Sequence, residues 1–237
     1  MLTVVEKEYL TPNMIRITFQ GDELGESFAW APGGYIKLTI PGEKTAVRTY
    51  TIRNHYPELK RITIDFAIHQ PAGAATSWAL QAVEGDQIAY RGPGRLKIDP
   101  TAGDWFIFAA DMAAIPAAIS VMESLDANAK GYAFLEITDE KDRQELSIPA
   151  GIKVQWLHHP DPKIKSKQQL EAIQKLAPLD GVPNVFVAGE LSTIREIKQY
   201  FSGEGRFKNS ARYISSYWKI GLNEEEHKQA KRRELFG

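Results

Sequence analysis

The spacing of apolar residues changes near residue 100, and this constrains the fold more than any other feature. Before that point they come in short runs rich in Val, Ile, Thr, Tyr and Phe: Val4–Tyr9, Met14–Phe19, Tyr35–Ile40, Val47–Ile52, Arg61–Ile68 and Gln87–Tyr90. Turn residues separate them at Thr11-Pro12-Asn13, Pro32-Gly33-Gly34, Pro41-Gly42 and Gly92-Pro93-Gly94. Several runs alternate with period two; in Met14–Phe19, Met14, Ile17 (one place out of step) and Phe19 oppose Arg16 and Thr18. Short strands divided by turn signals predict a small antiparallel β-barrel. One helix is expected over Ala75–Ala82, with Ala75, Trp78, Ala79 and Ala82 on one face and Thr76 or Ser77 near its start.

From Trp105 onward, strand-like runs alternate with helical ones. Trp105–Ala109, Tyr132–Ile137, Lys153–Leu157 and Val185–Ala188 read as strands, and Ala114–Leu125, Lys167–Leu176 and Ser192–Phe201 as helices. The first and last of these strand runs are continuously apolar, as expected of strands covered on both faces in a parallel sheet. Such alternation predicts an α/β layer with right-handed crossovers. The expected organisation is a β-barrel over 1–100 and an α/β domain with a parallel sheet and a C-terminal helix over 101–237, divided where Asp99-Pro100-Thr101-Ala102-Gly103 clusters turn residues. The C-terminal helix would be capped by Asn223 with Glu226 three residues on, carry a Glu224–Lys228 pair and end in Lys231, Arg232 and Arg233, which suit the negative end of its dipole.

Composition removes several classes of function. The 237 residues include 29 Lys+Arg and 30 Asp+Glu, a net charge of -1, so bulk attraction to nucleic acid is not expected. There is no Cys, which excludes disulfides, thiolate zinc sites, Cys-ligated iron–sulfur clusters and Cys nucleophiles. No apolar run approaches the ~18 residues of a membrane span. Met1–Leu10 lacks both a basic start and a continuous apolar stretch, so no secretory signal is expected and the default location is the cytoplasm. No Walker loop, Gly-x-Gly-x-x-Gly or Gly-x-Ser-x-Gly occurs.

A barrel followed by an α/β layer predicts a cleft between domains and ligands at the carboxyl ends of parallel strands. The densest candidate for chemistry is Arg48-Thr49-Tyr50-Thr51-Ile52-Arg53, where Arg48, Tyr50 and Ile52 share one strand face. A guanidinium, an aromatic ring and a hydroxyl so close together can hold a phosphorylated planar ring. The same residues also suit an ordinary solvent-facing strand. A second segment, Asp65-Phe66-Ala67-Ile68-His69 followed by Gly73 through Ala79, leads a small-residue loop into a helix whose free N–H groups can take phosphate. His158-His159 is not expected to bind metal, because neighbours on a strand point to opposite faces and no third ligand stands at a familiar spacing. Asp139-Glu140-Lys141-Asp142-Arg143 is expected to be a solvated turn.

These segments, with Gly85-Asp86, Gly92-Pro93-Gly94, Ala110 through Ala117, Val187-Ala188-Gly189-Glu190 and Tyr217-Trp218-Lys219-Ile220-Gly221, resemble in order and spacing the siderophore-interacting proteins. These are flavin-dependent ferric-siderophore reductases of the ferredoxin-reductase-like superfamily. The resemblance covers nearly the whole chain. It implies FAD on the barrel, with Arg48 at the pyrophosphate, Tyr50 against the isoalloxazine, and Thr49 and Thr51 in the same flavin-binding run. Asp65, Phe66, Ala67 and His69 would line the flavin site, and Ala75, Thr76 and Ser77 would meet the phosphates. Asp111, Gly189 and Glu190 would lie near a nicotinamide dinucleotide. Lys44, Arg95 and Lys219, joined by Arg53, would attract an anionic ferric siderophore. Trp218 suits either core packing or a lid. Electron transfer needs no general base, so no catalytic side chain is assigned, and no metal ligand.

One departure concerns the electron donor. The family's turn of the type Gly-Asp-Glu-Thr-Ala-(Leu)-Pro-Ala carries Ala110, Met112 and Ala113 here in place of Gly, Glu and Thr. The missing hydroxyl removes a hydrogen bond worth about 0.5–1.5 kcal/mol, which weakens the case for NAD(P)H and makes reduced ferredoxin an alternative. Two other functions stay open at this level: a general NAD(P)H:flavin or ferredoxin-type reductase, and a flavin-binding electron-relay subunit without turnover of its own.

Overall fold

The computed structural model describes residues 1–42, 45–177, 179–222 and 224–236. They form two compact units. The first is Met1–Leu96 with Ile119–Val121 and Lys141–Glu145, and the second is Lys97–Ala118, Met122–Glu140 and Leu146–Gly237.

In the first unit, seven strands are β1 (Leu2–Thr11), β2 (Met14–Gln20), β3 (Tyr35–Ile40), β4 (Ala46–Thr51), β5 (Asn54–Tyr56), β6 (Arg61–Ala67) and β7 (Gln87–Gly94), with the helix α1 (Ala74–Gln81). They pair antiparallel in the order β4-β3-β7-β1-β2-β6-β5. The two end strands of that order, β4 and β5, are consecutive in the chain and separated only by Ile52 and Arg53. The sheet must therefore curl until its edges approach, as a barrel requires. Period-two alternation turns Ile36, Leu38 and Ile40 of β3 and Ile15, Ile17 and Phe19 of β2 into the core, all 0% exposed. Each such side chain contributes roughly 1.5–3 kcal/mol by leaving water. The out-of-step Ile17 is thus in register, and Met14 is the residue outside the alternation.

In the second unit, five parallel strands are β8 (Trp105–Ala110), β9 (Lys130–Ile137), β10 (Gly151–His158), β11 (Pro183–Glu190) and β12 (Ala211–Trp218). The helices are α2 (Ile115–Glu123, whose residues 119–121 group with the first unit), α3 (Gln168–Lys175), α4 (Leu191–Gly203) and α5 (Glu224–Phe236). The strand order β10-β9-β8-β11-β12 reverses between β8 and β11, the switch point of a doubly wound sheet. Every residue of β8 and β11 is buried. On one face Ile107, Val185 and Val187 pack with Ile173 of α3 and Ile194, Ile197 and Phe201 of α4. The opposite face carries a ring ladder, Phe106–Phe108–Phe186–Tyr213, with centroids 5.1–5.9 Å apart.

Two strands were not expected from the sequence. β5 is three polar residues long and exists by pairing with β6, while His55 packs its ring near Phe28 and Trp30 and bonds the Leu24 carbonyl at 2.7 Å. β12 is an edge strand, half-buried along most of its length, and so lacks a continuous apolar run. The expected solvated turn at 139–143 is corrected at Asp142, which is fully buried. Its carboxylate accepts from the Thr11 hydroxyl (2.8 Å) and from the backbone and side-chain N–H of Asn13 (3.0 and 2.9 Å). His158 and His159 bond the carbonyls of Thr138 and Ile164. Asn223 lies outside the described residues. Among those described, no helix is long and apolar enough to cross a membrane.

Candidate functional site

The barrel gathers most of the candidate residues. Alternation along β4 leaves Val47 and Thr49 exposed and Arg48, Tyr50 and Thr51 half-buried. Tyr50 leans on Phe66 of β6 with ring centroids 4.4 Å apart, and Phe66 reaches Trp78 of α1 at 6.2 Å. This aromatic chain joins the strand carrying Arg48 to the helix that starts after Gly73. That helix start has no side-chain cap and no acidic residue in its first turn, so its backbone N–H groups and dipole favour an anion. A guanidinium, an aromatic ring and an uncapped helix start fit a phosphorylated planar ligand.

Other residues of this set act beneath that surface. Asp65 has a side chain only 2% exposed and is gripped by Arg16 of β2 through Nε at 2.7 Å and Nη2 at 2.8 Å. Although burial works against the Arg16 charge, Asp65 holds its pKa above the ordinary value. Phe66 is 0% exposed and Ala75 is 5% exposed, both in the core. Ala67 and Ser77 are half-buried, and His69 is exposed. Asp65 and Phe66 therefore support the surface from below rather than line it. The Thr76 hydroxyl is turned to the Ala67 carbonyl (3.4 Å) and His69 Nε2 (3.2 Å), while His69 Nδ1 meets the Pro71 carbonyl at 2.9 Å. Thr76 thus ties the start of α1 to Ala67 and His69. Arg53 is corrected from a surface cation to a buried residue, 8% exposed, with its backbone N–H donated to the Thr63 carbonyl at 2.8 Å. Arg95 is exposed, and Lys44 lies outside the described residues.

A second cluster stands at the switch point of the parallel sheet. Asp111, at the end of β8, accepts from Trp218 Nε1 (2.7 Å), the Glu190 backbone N–H (2.8 Å) and the Ala113 backbone N–H (3.1 Å). Its close approach needs Gly189, whose φ is +150° and whose added Cβ would stand 2.5 Å from Asp111 Oδ2. Burial pushes the Asp111 carboxyl up to about 7, resisted by the Trp218 bond and reinforced by the Glu136 carboxylate. Glu136 is itself buried, pushed up by that burial, and bonded to the Ser166 hydroxyl. Glu190 caps α4 through the N–H groups of Ser192 (2.7 Å) and Thr193 (2.9 Å). Lys219 is half-exposed and lines a groove of about 260 Å³ with Ser192, Arg195, Glu196 and Gln199. The sequence pointed to Lys219 but not to Arg195, Arg16 or the cap at Glu190. The register Arg16↔Asp65 is the signal that unites that ion pair, and it exists only once β2 and β6 are paired.

Two family models match the chain: "Siderophore-interacting protein" over residues 103–221, and "Siderophore-interacting FAD-binding domain" over residues 3–47 and 41–96. Ferric vibriobactin reductase ViuB of Vibrio cholerae is 30% identical over 249 residues, covering 95% of this chain and 91% of that protein. Among solved structures, the siderophore-interacting protein SipS from Aeromonas hydrophila superposes with a TM-score of 0.84 at 25% identity, covering 100% of this chain and 97% of that one. The siderophore-interacting protein of Acinetobacter baumannii gives a TM-score of 0.87 at 24% identity, covering 99% and 95%. With both halves of the chain matched and a relative of this identity spanning nearly its whole length, the chain belongs to the siderophore-interacting protein family.

Proposed function

We propose that this protein is an FAD-dependent reductase that converts the Fe(III) of a ferric siderophore to Fe(II). The observation that carries this reading is the near full-length likeness to ferric vibriobactin reductase. The barrel residues fit the cofactor: Arg48 would pair with the pyrophosphate, Tyr50 would pack on the isoalloxazine, Thr51 would stand beside that ring, and the α1 amides would take a phosphate. When bound, FAD supplies the ability to accept a two-electron hydride and to release electrons singly. The iron is substrate and stays within its chelate, where hard oxygen donors hold Fe(II) less firmly than Fe(III). Lys219 and Arg95 would draw an anionic chelate to the protein.

The β8–α2 turn favours reduced ferredoxin over a dinucleotide as donor. The N–H of Ala113 is taken by the Asp111 carboxylate, and those of Ala114 and Ile115 by the Asp111 carbonyl (both 2.8 Å). Pro116 follows and has no N–H. Three occupied amides and a proline leave this helix start poorly suited to a pyrophosphate. The test is anaerobic: FAD-loaded protein is mixed with NADH, NADPH or reduced ferredoxin, then with an iron(III) tris-catecholate and an Fe(II)-trapping dye. Dye colour that depends on FAD supports the reductase; no Fe(II) from any donor refutes it. Bleaching of the flavin by ferredoxin alone supports the protein donor, and bleaching by NADH or NADPH at saturating turnover rates overturns it.

A further inference from the structure

Lys219 stands between two anchoring points. On one side the Trp218 indole donates to Asp111 Oδ2 at 2.7 Å; on the other the Ile220 backbone N–H reaches Glu190 Oε1 at 3.4 Å. The pairing of β11 with β12 also slips here: Gly189 faces Ser216 while Glu190 faces Trp218, leaving Tyr217 as the extra residue. Bulges re-aim the side chains that follow them, and this one delivers Trp218 to Asp111. The same Asp111 oxygen accepts the Glu190 N–H at 2.8 Å, so one carboxylate ties the end of β11 to the end of β12. Lys219 then lines the groove with Ser192, Arg195, Gln199 and Glu196, whose carboxylate is paired with Lys165, along the first turns of a helix that Glu190 itself caps.

We propose that Asp111 is a positioning residue for substrate docking: by holding Trp218 it fixes the backbone from which Lys219 meets an anionic iron chelate. This rests on the reductase reading above. Asp111 touches no substrate in this scheme; it acts through Trp218, with Glu190 holding the far side of Lys219. The indole N–H matters more than the bulk of the ring, because the bond to the carboxylate gives the segment its direction.

The test uses the FAD-loaded full chain and two readouts besides turnover. The first is the rate at which the Lys219 amine is acetylated, followed by mass spectrometry; the second is the Kd of an iron(III) tris-catecholate, followed by fluorescence quenching. Trp218→Phe keeps an aromatic ring, smaller than the indole, and removes the donor without touching the buried carboxylate, so it guards against loss of folding in Asp111→Asn. Both variants should change Lys219 acetylation several-fold, raise Kd by about three- to tenfold, or roughly 0.7–1.4 kcal/mol, and leave FAD content unchanged. In a Lys219→Ala background, Trp218→Phe should add no further loss of affinity. If Trp218→Phe acetylates and binds like the parent, or costs as much without Lys219 as with it, the positioning role is wrong while the reductase reading stands. If the parent protein binds no chelate, both fall together.

Discussion

Replacing Arg16 with Met tests whether Asp65 is part of the barrel's internal structure or of its ligand surface. The Asp65 side chain is 2% exposed and that of Arg16 20%, with two bonds of 2.7 and 2.8 Å between them. Arg16→Met would leave a carboxylate buried without its cation, a loss of about 3–5 kcal/mol when one partner of a buried pair is removed. For a chain of this size each kcal/mol moves Tm by roughly 2–4 °C, so a fall of roughly 6–20 °C is expected. The double variant Arg16→Met with Asp65→Leu removes both charges and should recover most of that loss, since two apolar groups of similar volume satisfy each other. Urea unfolding of FAD-free protein gives the stability, and titration with FAD gives the affinity. The double variant should bind FAD close to normally, because Asp65 supports the site from below. The reasoning fails if Arg16→Met costs under about 1 kcal/mol, or if the stable double variant loses FAD.

Arg48→Ala should weaken FAD binding by roughly ten- to a hundredfold, the worth of a charge-assisted hydrogen bond; Tyr50→Ala should act in the same direction, and both should keep the parent far-UV circular dichroism. Gly189→Ala places a Cβ 2.5 Å from Asp111 Oδ2 at a φ of +150°, so a loss of at least about 1–3 kcal/mol in urea unfolding is expected; parental stability would mean the approach of Asp111 is not held by that glycine. Buried His227 bonds Ser216 at 3.0 Å, and its pKa is lowered by burial and by Lys231. Below the unfolded His value of about 6.5, the unfolded chain binds the proton first, so this contribution to stability is complete above that pH and is lost as pH falls. The protection factors of α5 amides, which remove the slower intrinsic exchange of acid solution, should therefore fall from pH 7 to pH 5 in the parent and much less in His227→Gln; an equal fall in both would refute the assignment.

The two-part architecture was legible because each half repeats one period. Ile36, Leu38 and Ile40 alternate on one side of a strand, and Trp105–Ala110 and residues 185–188 are apolar on both sides, so local patterning and burial agree. The strand β12 escaped because its apolar content is split between two half-covered faces. Asp142 escaped because its two partners, Thr11 and Asn13, lie about 130 residues away in the chain. Around the barrel ligand site, Arg48 and Tyr50 stood out by residue type and spacing, whereas the support of Tyr50 by Phe66 and Trp78 needed three elements brought together.

Taken by itself, the amino-acid order determined the barrel-then-α/β plan, the absence of thiol chemistry, and the family through the order of its short motifs. Those properties depend on near neighbours and on residue type, which a linear chain displays directly. Only the tertiary structure decided which charged groups face a ligand and which hold the frame. Arg53 and Asp142 look like surface charges in one dimension and Asp65 like part of a ligand lining, and each is buried. Asp111 and Glu190, expected near a dinucleotide, spend their oxygens on backbone and indole N–H groups at the switch point. The physical reason is that a charge takes its role from what surrounds it, and those surroundings come from strands far apart in sequence.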